Sequence, residues 1–134
     1  MTKNVKRKPW NGQRPPLETY VVKRGEVWWV SFEPSVGGEM RKKRPVVIIS
    51  NNAANKYPNR VQVVPLTSRV GRVYPSEALV LLGDIQSKAM ADQLTTVSKQ
   101  RLGNQAGRLT NADTRKVEHV VKVQLGLPDT FQQT

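Results

Sequence analysis

Hydrophobic positions gather from Val21 onward into short β-branched and aromatic runs, separated by glycine, proline and polar residues. Val27, Trp28, Trp29, Val30 and Phe32 follow Gly25 and predict a first strand, with a loop after it at Pro34, Gly37 and Gly38. Arg41-Lys42-Lys43-Arg44 stands at the end of that loop, and Pro45 blocks any helix there. Val46-Val47-Ile48-Ile49 is a continuous β-branched run, as suits a strand buried on both faces. Asn51 to Asn59 reads as a turn or a short helix. Val61, Val63, Val64 and Leu66 predict the next strand, with Pro65 at its edge or end.

A polar loop over 69–76 precedes a strand from Ala78 to Leu82 and a turn at Gly83-Asp84. Lys88 to Leu94 predicts another short strand, Thr95 to Ser98 extends or follows it, and Ser98 to Leu102 suits a helical turn. The 3.6-residue period appears only from Thr110 to Leu125, where Val117, Val120, Val121 and Leu125 share one face. Thr110-x-x-Asp113 resembles a capping box, and Gly126 and Pro128 end the helix. Short strands followed by one helix predict a mainly β fold, a small half-open β-barrel with a C-terminal helix packed on it.

Residues 1–20 differ from the rest. They are basic, proline-bearing and nearly free of aliphatic side chains, which predicts a flexible N-terminal arm before a single domain over 21–134. Charge then narrows the function. Lys and Arg number 22 against 10 Asp and Glu, a formal +12, and the cations are clustered, so a polyanion or an acidic protein is the expected partner. There is no cysteine and one histidine, which excludes disulfides, thiol catalysis and a two-histidine acid–base pair within one chain. No clustered His, Cys or carboxylate set offers metal ligands, so no metal and no cofactor is expected. No apolar run has the roughly 20 residues of a spanning helix, and no apolar stretch follows the basic N-terminus as in a secretory signal. A soluble protein of the reducing cytoplasm is the expectation, with no membrane partner.

Candidate site residues fall mostly at strand ends. Arg41, Lys42 and Lys43 divide evenly between a solvated loop and contact with a polyanion. Arg44 borders a buried strand, so its backbone is fixed and its planar donor fork suits a phosphate. Thr67 and Ser68 end a strand, where hydroxyls either donate to a phosphate oxygen or merely close a turn. Asp92-Gln93 and Glu39 offer a carboxylate and an amide, for which a structural ion pair or turn is the commoner role. Trp28, Trp29 and Tyr74 could stack on bases. Alternation sends at most one of the two tryptophans inward, leaving the other near a site or in an interface. His119, mid-helix, is read as a partly exposed structural residue.

Taken in order, Arg24-Gly25-Glu26-Val27-Trp28-Trp29-Val30, then Pro34 and Gly37-Gly38-Glu39, then Arg44-Pro45-Val46-Val47-Ile48-Ile49-Ser50, then Val63-Val64-Pro65-Leu66-Thr67-Ser68, then Asp92-Gln93, resemble the MazF/PemK (Kid) family of toxin endoribonucleases. The resemblance spans about residues 22–127 and includes Ser98 to Leu102 and the C-terminal helix. It implies an SH3-like barrel of the type shared with the CcdB gyrase poisons, a homodimer, and sequence-specific, metal-independent cleavage of single-stranded RNA. It also implies an acidic, MazE-like antitoxin that blocks the same surface. By motif position it makes Arg44 and Thr67 catalytic, and puts Glu39, Ser68, Asp92, Gln93, Arg41, Lys42, Lys43 and Trp29 around the substrate. Another branch of the family has a histidine before the loop glutamate and an arginine two residues before Asp-Gln. Gly38 and Met90 stand there in this chain, so that arginine–aspartate–histidine arrangement does not carry over and the base is left unassigned.

Two other readings compete. A CcdB-like gyrase poison acts, by resemblance, through a hydrophobic pair at its C-terminus, and this chain ends Asp129-Thr130-Phe131-Gln132-Gln133-Thr134 without one. A non-catalytic basic RNA-binding barrel satisfies composition equally well.

Overall fold

The computed structural model describes residues 21–32, 42–56 and 59–128, and the side chain of Lys42 is not among them. The expected arm, Gly37, Gly38, Glu39 and Arg41, and the last residues from Asp129, lie outside the described residues. The order is β1 (Glu26–Phe32), β2 (Lys42–Ile48), α1 (Asn52–Lys56), β3 (Arg60–Thr67), β4 (Glu77–Leu82), β5 (Ile85–Met90), β6 (Thr95–Ser98), β7 (Leu102–Arg108) and α2 (Asn111–Leu125). Single 3-10 turns at Ala91–Gln93 and Lys99–Arg101 link β5 to β6 and β6 to β7. The pairings between strands are antiparallel, in the order β4-β5-β3-β2-β1-β7, with β6 also on β3. The result is mainly β with one C-terminal helix, a barrel-like sheet that does not close.

Alternation sorts the core into two layers. Val30, Val46, Ile48, Val61, Val63, Val97 and Leu102 fill one, with Trp28 and Phe32 packed against it. Val27, Val47, Val64, Leu66, Val80 and Ala89 fill the other, where Leu109 and Val117 bring in the helix region. Val46, Val47 and Ile48 are each fully buried, because β2 lies between β1 and β3 and feeds both layers. The helix starts as the capping pattern predicts: Thr110 accepts a hydrogen bond from the Asp113 amide at 3.0 Å. It ends at Gly126, whose φ of 71° is the left-handed conformation glycine adopts without strain.

Several expectations need correction. The segment Lys42-Lys43-Arg44 belongs to β2 and not to a loop: Lys43 and Arg44 pair with Ser31 and Val30 of β1. Pro45 is tolerated there because β2 pairs only with β1 at that level, and its ladder with β3 starts at Val46. Pro65 is inside a central strand, not at an edge or end. It falls where β3 changes partners, from β6 up to Val63 to β5 from Leu66, so its missing N–H interrupts neither ladder. The strand expected over Lys88–Leu94 begins earlier, at Ile85, and gives way to the 3-10 turn that carries Asp92 and Gln93. Strand β7 went unforeseen, and Leu125, expected on the packed face of α2, is 53% exposed.

Buried polar groups brace the strand ends. Lys99 is 1% exposed, and its Nζ donates to the Asn55 carbonyl at 2.6 Å. Asn55 is also buried and is bonded to Ser50, whose Oγ accepts from the Gln62 amide at 3.1 Å. Burial holds the Lys99 ammonium below the usual lysine range. At the start of β1, Arg24 donates through Nε at 3.1 Å and through Nη2 at 2.8 Å to Glu118, and through Nη1 to the Ile49 carbonyl. That clamp ties β1, the end of β2 and α2 together.

Candidate active site

Arg44 is near the start of β2, and Thr67 is the last residue of β3. Val46 pairs with Pro65 across these strands. Continued two residues further, the same register sets Arg44 level with Thr67, and Thr67 itself pairs with Lys88 of β5. Thr67 is thus paired with Lys88, and Arg44 lies two residues beyond the last β2–β3 pair, on the same face by alternation. All three are on the sheet face that carries Val30, Val46 and Val63, at its outer margin.

The chemistry of each follows from its partners. Arg44 is half-buried, and its guanidinium makes no hydrogen bond or ion pair with a described residue; its planar donor fork has the geometry a phosphate takes. The Oγ1 of Thr67 accepts the Arg69 amide at 3.1 Å. That bond fixes the rotamer and leaves the hydroxyl proton free to donate outward. Lys88 was not a sequence candidate, and its head group is largely committed: Nζ reaches Glu77 at 3.1 Å and the Arg72 carbonyl at 3.0 Å. Glu77 in turn accepts the Tyr74 amide at 2.9 Å. That backbone bond, and then Lys88, hold the Glu77 carboxyl below the usual range against the opposing effect of burial. Lys88 and Glu77 thus shape the loop over 69–76 beside Thr67. The loop presents exposed Ser68, Arg69 and Arg72, and the Arg72 guanidinium lies 5.7 Å from the centre of the exposed Tyr74 ring. Only register could have revealed Lys88; its local sequence carries no signal.

The other candidates divide. Gln93 and Asp92 are exposed on the 3-10 turn between β5 and β6, next to the partner change of β3 and so near Thr67. The amide of Gln93 donates to Met90 Sδ at 3.6 Å. Asp92 has no ion-pair partner among the described residues. Lys43 is exposed and, like Trp29, lies on the face opposite to Arg44, since β2 and β1 alternate together. Trp29 is 41% exposed, whereas Trp28 packs inward and donates through Nε1 to Glu26 at 3.0 Å. His119 is exposed on α2. Among the described residues, no group of three or more His, Cys, Asp or Glu could hold a metal ion, and no helix is long and apolar enough to cross a membrane.

An unclosed antiparallel barrel with an arginine and a hydroxyl at one strand margin, on a chain of charge +12, defines a small basic β-barrel protein whose charge suits a polyanion. Residues 23–125 match the model of the PemK-like, MazF-like toxins of type II toxin–antitoxin systems, and the chain belongs to that family. It is 32% identical over 116 residues to Endoribonuclease MazF9 of Mycobacterium tuberculosis, covering 80% of this chain and 98% of that relative. Among solved structures, an endoribonuclease in complex with its cognate antitoxin from a mycobacterial species is 30% identical, with a TM-score of 0.66 over 79% of this chain and 96% of the other. The MazE–MazF structure (Form-II) from Deinococcus radiodurans is 26% identical, with a TM-score of 0.70 over 81% of this chain and 99% of the other.

Proposed function

We propose that this chain is a metal-independent endoribonuclease toxin that cuts single-stranded RNA at a short sequence. By cutting messenger RNA it would inhibit translation and growth. The ribose 2′-oxygen forms a bond to the adjacent phosphorus and loses its proton, the P–O5′ bond breaks, and O5′ takes up a proton. The products are a 2′,3′-cyclic phosphate and a 5′-hydroxyl. Negative charge gathers on the phosphorane oxygens, where a preorganised, partly desolvated guanidinium is most effective. Arg44 supplies it, and Thr67 donates to the scissile phosphate. Gln93, Asp92 and Ser68 flank this centre, with Lys42, Arg41 and Glu39 as further substrate contacts. Lys43 and Trp29 face the other side of the sheet and meet RNA, or a second protomer, there. The base is left unassigned, and positioning carries much of the rate.

The observation that supports this reading most is the half-buried guanidinium of Arg44, without a partner among the described residues, on the same sheet face as the Thr67 hydroxyl, whose oxygen accepts the Arg69 amide. The family, and relatives described as endoribonucleases and as MazE–MazF complexes, support the activity, a homodimer and an acidic antitoxin. We further assign one domain over 21–134 with residues 1–20 as an appended arm, and action in the cytoplasm.

Arg44→Ala tests the assignment. Cleavage should fall by at least about 100-fold, as when one transition-state donor is removed, while the circular dichroism spectrum is unchanged. Arg44→Lys keeps the charge without the fork and should also lose most activity. Lys42→Ala should weaken RNA binding and its salt dependence, with the rate at saturating RNA nearly intact. Wild-type cutting by a folded Arg44→Ala protein, or its unfolding, would make Arg44 structural.

A further inference from the structure

At the other end of β1 from Arg44, a pocket of about 200 Å³ opens between Gly25, α1, the end of β7 and α2. It is lined by three guanidinium groups, from Arg24, Arg108 and Arg115, against one carboxylate, Glu118. Glu118 is spent on Arg24, whose own donors are in turn committed to Glu118 and the Ile49 carbonyl. Arg108 is held loosely, with Nη1 3.8 Å from Glu26 and its side chain 54% exposed. Arg115 is exposed and has no partner among the described residues. Asn52 accepts the Arg24 amide through Oδ1, which leaves its NH2 free, and the Asn111 side chain is also unbonded among the described residues. Asp113, the nearest acid on α2, is engaged by the Leu81 amide at 2.9 Å and by Lys116 at 3.7 Å. Donors from separate elements thus line one concavity in which three arginines stand against one carboxylate, already engaged by Arg24.

We propose that this pocket is a second phosphate site, which holds a backbone phosphate of the RNA away from the scissile bond. The inference rests on the RNA-cleaving reading for its ligand. Planar guanidinium forks and amide NH2 groups are the donors a phosphate takes, and the pocket offers them beside a Thr114 hydroxyl tied to the Thr110 carbonyl at 2.9 Å. Gly25 donates to the Ile48 carbonyl and Val30 pairs with Arg44, so the two sites are five residues of β1 apart, roughly 17 Å along the strand, with the pocket on the α2 side of the sheet. A short oligonucleotide seated at Arg44 falls short of the pocket, whereas a long RNA fills both.

Arg115→Gln removes one free guanidinium, and Lys116→Gln removes a neighbouring cation that does not line the pocket. For a long RNA, Arg115→Gln should raise KM by about 3- to 10-fold at unchanged kcat, and reduce the salt slope of binding by about 0.7, the value for one single-strand phosphate contact. The shortest cleavable oligonucleotide should show no such effect, and Lys116→Gln should resemble wild type on both substrates. Inorganic pyrophosphate, followed by NMR on the folded wild-type protein, should shift the amides of Leu109, Asn111 and Arg115; this arm does not depend on cleavage, so it separates failure of the site from failure of the enzymatic reading. Equal effects of the two substitutions, equal effects on long and short RNA, or unmoved pocket amides would each overturn the proposal. So would an Arg115→Gln protein that binds RNA normally but escapes its antitoxin, since the pocket would then take a protein carboxylate.

Discussion

Replacement of Thr67 by valine separates the chemistry from the fold with little disturbance. Valine matches threonine in shape and β-propensity, so the end of β3 keeps its strand geometry. What is lost is the hydroxyl, which accepts the Arg69 amide at 3.1 Å in an exposed turn. A single such bond is worth about 1 kcal/mol, a small part of the roughly 5–15 kcal/mol of a typical domain. The protein should therefore remain folded, with a modest drop in melting temperature. In the proposed reaction the hydroxyl faces a charged phosphate oxygen, and hydrogen bonds to charged groups are worth about 1.5–3 kcal/mol. Thr67→Val should accordingly lower kcat/KM by roughly 10- to 150-fold on an RNA with a single cut site. The loss belongs in kcat if the bond forms only in the transition state, and in KM if it also holds the bound substrate. Thr67→Ser keeps the donor and the Arg69 bond and should keep most activity. Wild-type rates in folded Thr67→Val would reduce Thr67 to a turn former, and a serine variant as poor as valine would shift the role to the methyl group.

Other outcomes follow from the same geometry. Cleavage should persist in excess EDTA, because the proposed chemistry uses only Arg44, Thr67 and the substrate hydroxyl; loss in chelator with recovery on magnesium would rule out the transesterification reading. Lys99 is buried with its pKa held down, so between its folded and unfolded pKa values the native state binds fewer protons than the unfolded chain, and stability climbs with pH across that window. Lys99→Met removes that slope, so the difference in urea unfolding free energy between wild type and variant should grow as pH rises toward about 10.4, and a pH-independent difference would contradict it. Gly25 has φ +92° and an added Cβ would stand 3.2 Å from Thr114 Oγ1, so Gly25→Ala should cost about 1–3 kcal/mol in urea unfolding, and a neutral result would show that the turn relaxes freely.

Legibility in the sequence followed the strength of the local signal. The first, second and third strands were visible because Val27–Phe32, Val46–Ile49 and Val61–Leu66 are dense in β-branched and aromatic residues and supply most of one core layer and half of the other. Strand β7 was invisible because Gly103-Asn104-Gln105-Ala106-Gly107 has no hydrophobic alternation. Among the described residues it is paired only with β1, across two register shifts, and it carries little side-chain bulk at Gly103, which lies beside Trp29. Leu125 looked like core by spacing, but α2 outlasts the surface beneath it, and Val123 and Leu127 are exposed beside it. Of the candidate centre, Arg44 and Thr67 were legible through their motifs. Lys88 was not, because only the pairing of β3 with β5 brings it level with Thr67.

The placement of Pro65 joins fold to site. A proline in a central strand normally breaks a ladder, yet here it stands where β3 has released β6 at Val63 and not yet taken up β5 at Leu66. That interval on the β5–β6 side is bridged by the 3-10 turn over Ala91–Gln93, so a strand between β5 and β6 is replaced by a corner that holds Asp92 and Gln93 in solvent. On its other side Pro65 pairs with Val46, two residues from Arg44, and it precedes Thr67 by the same two residues. One residue lacking an N–H thus marks the level at which the sheet changes partner, and the arginine, the hydroxyl and the amide-bearing turn all lie within two residues of that level or directly beside it. The proposed centre therefore lies at the partner change in β3, at a strand margin and not in the middle of either core layer.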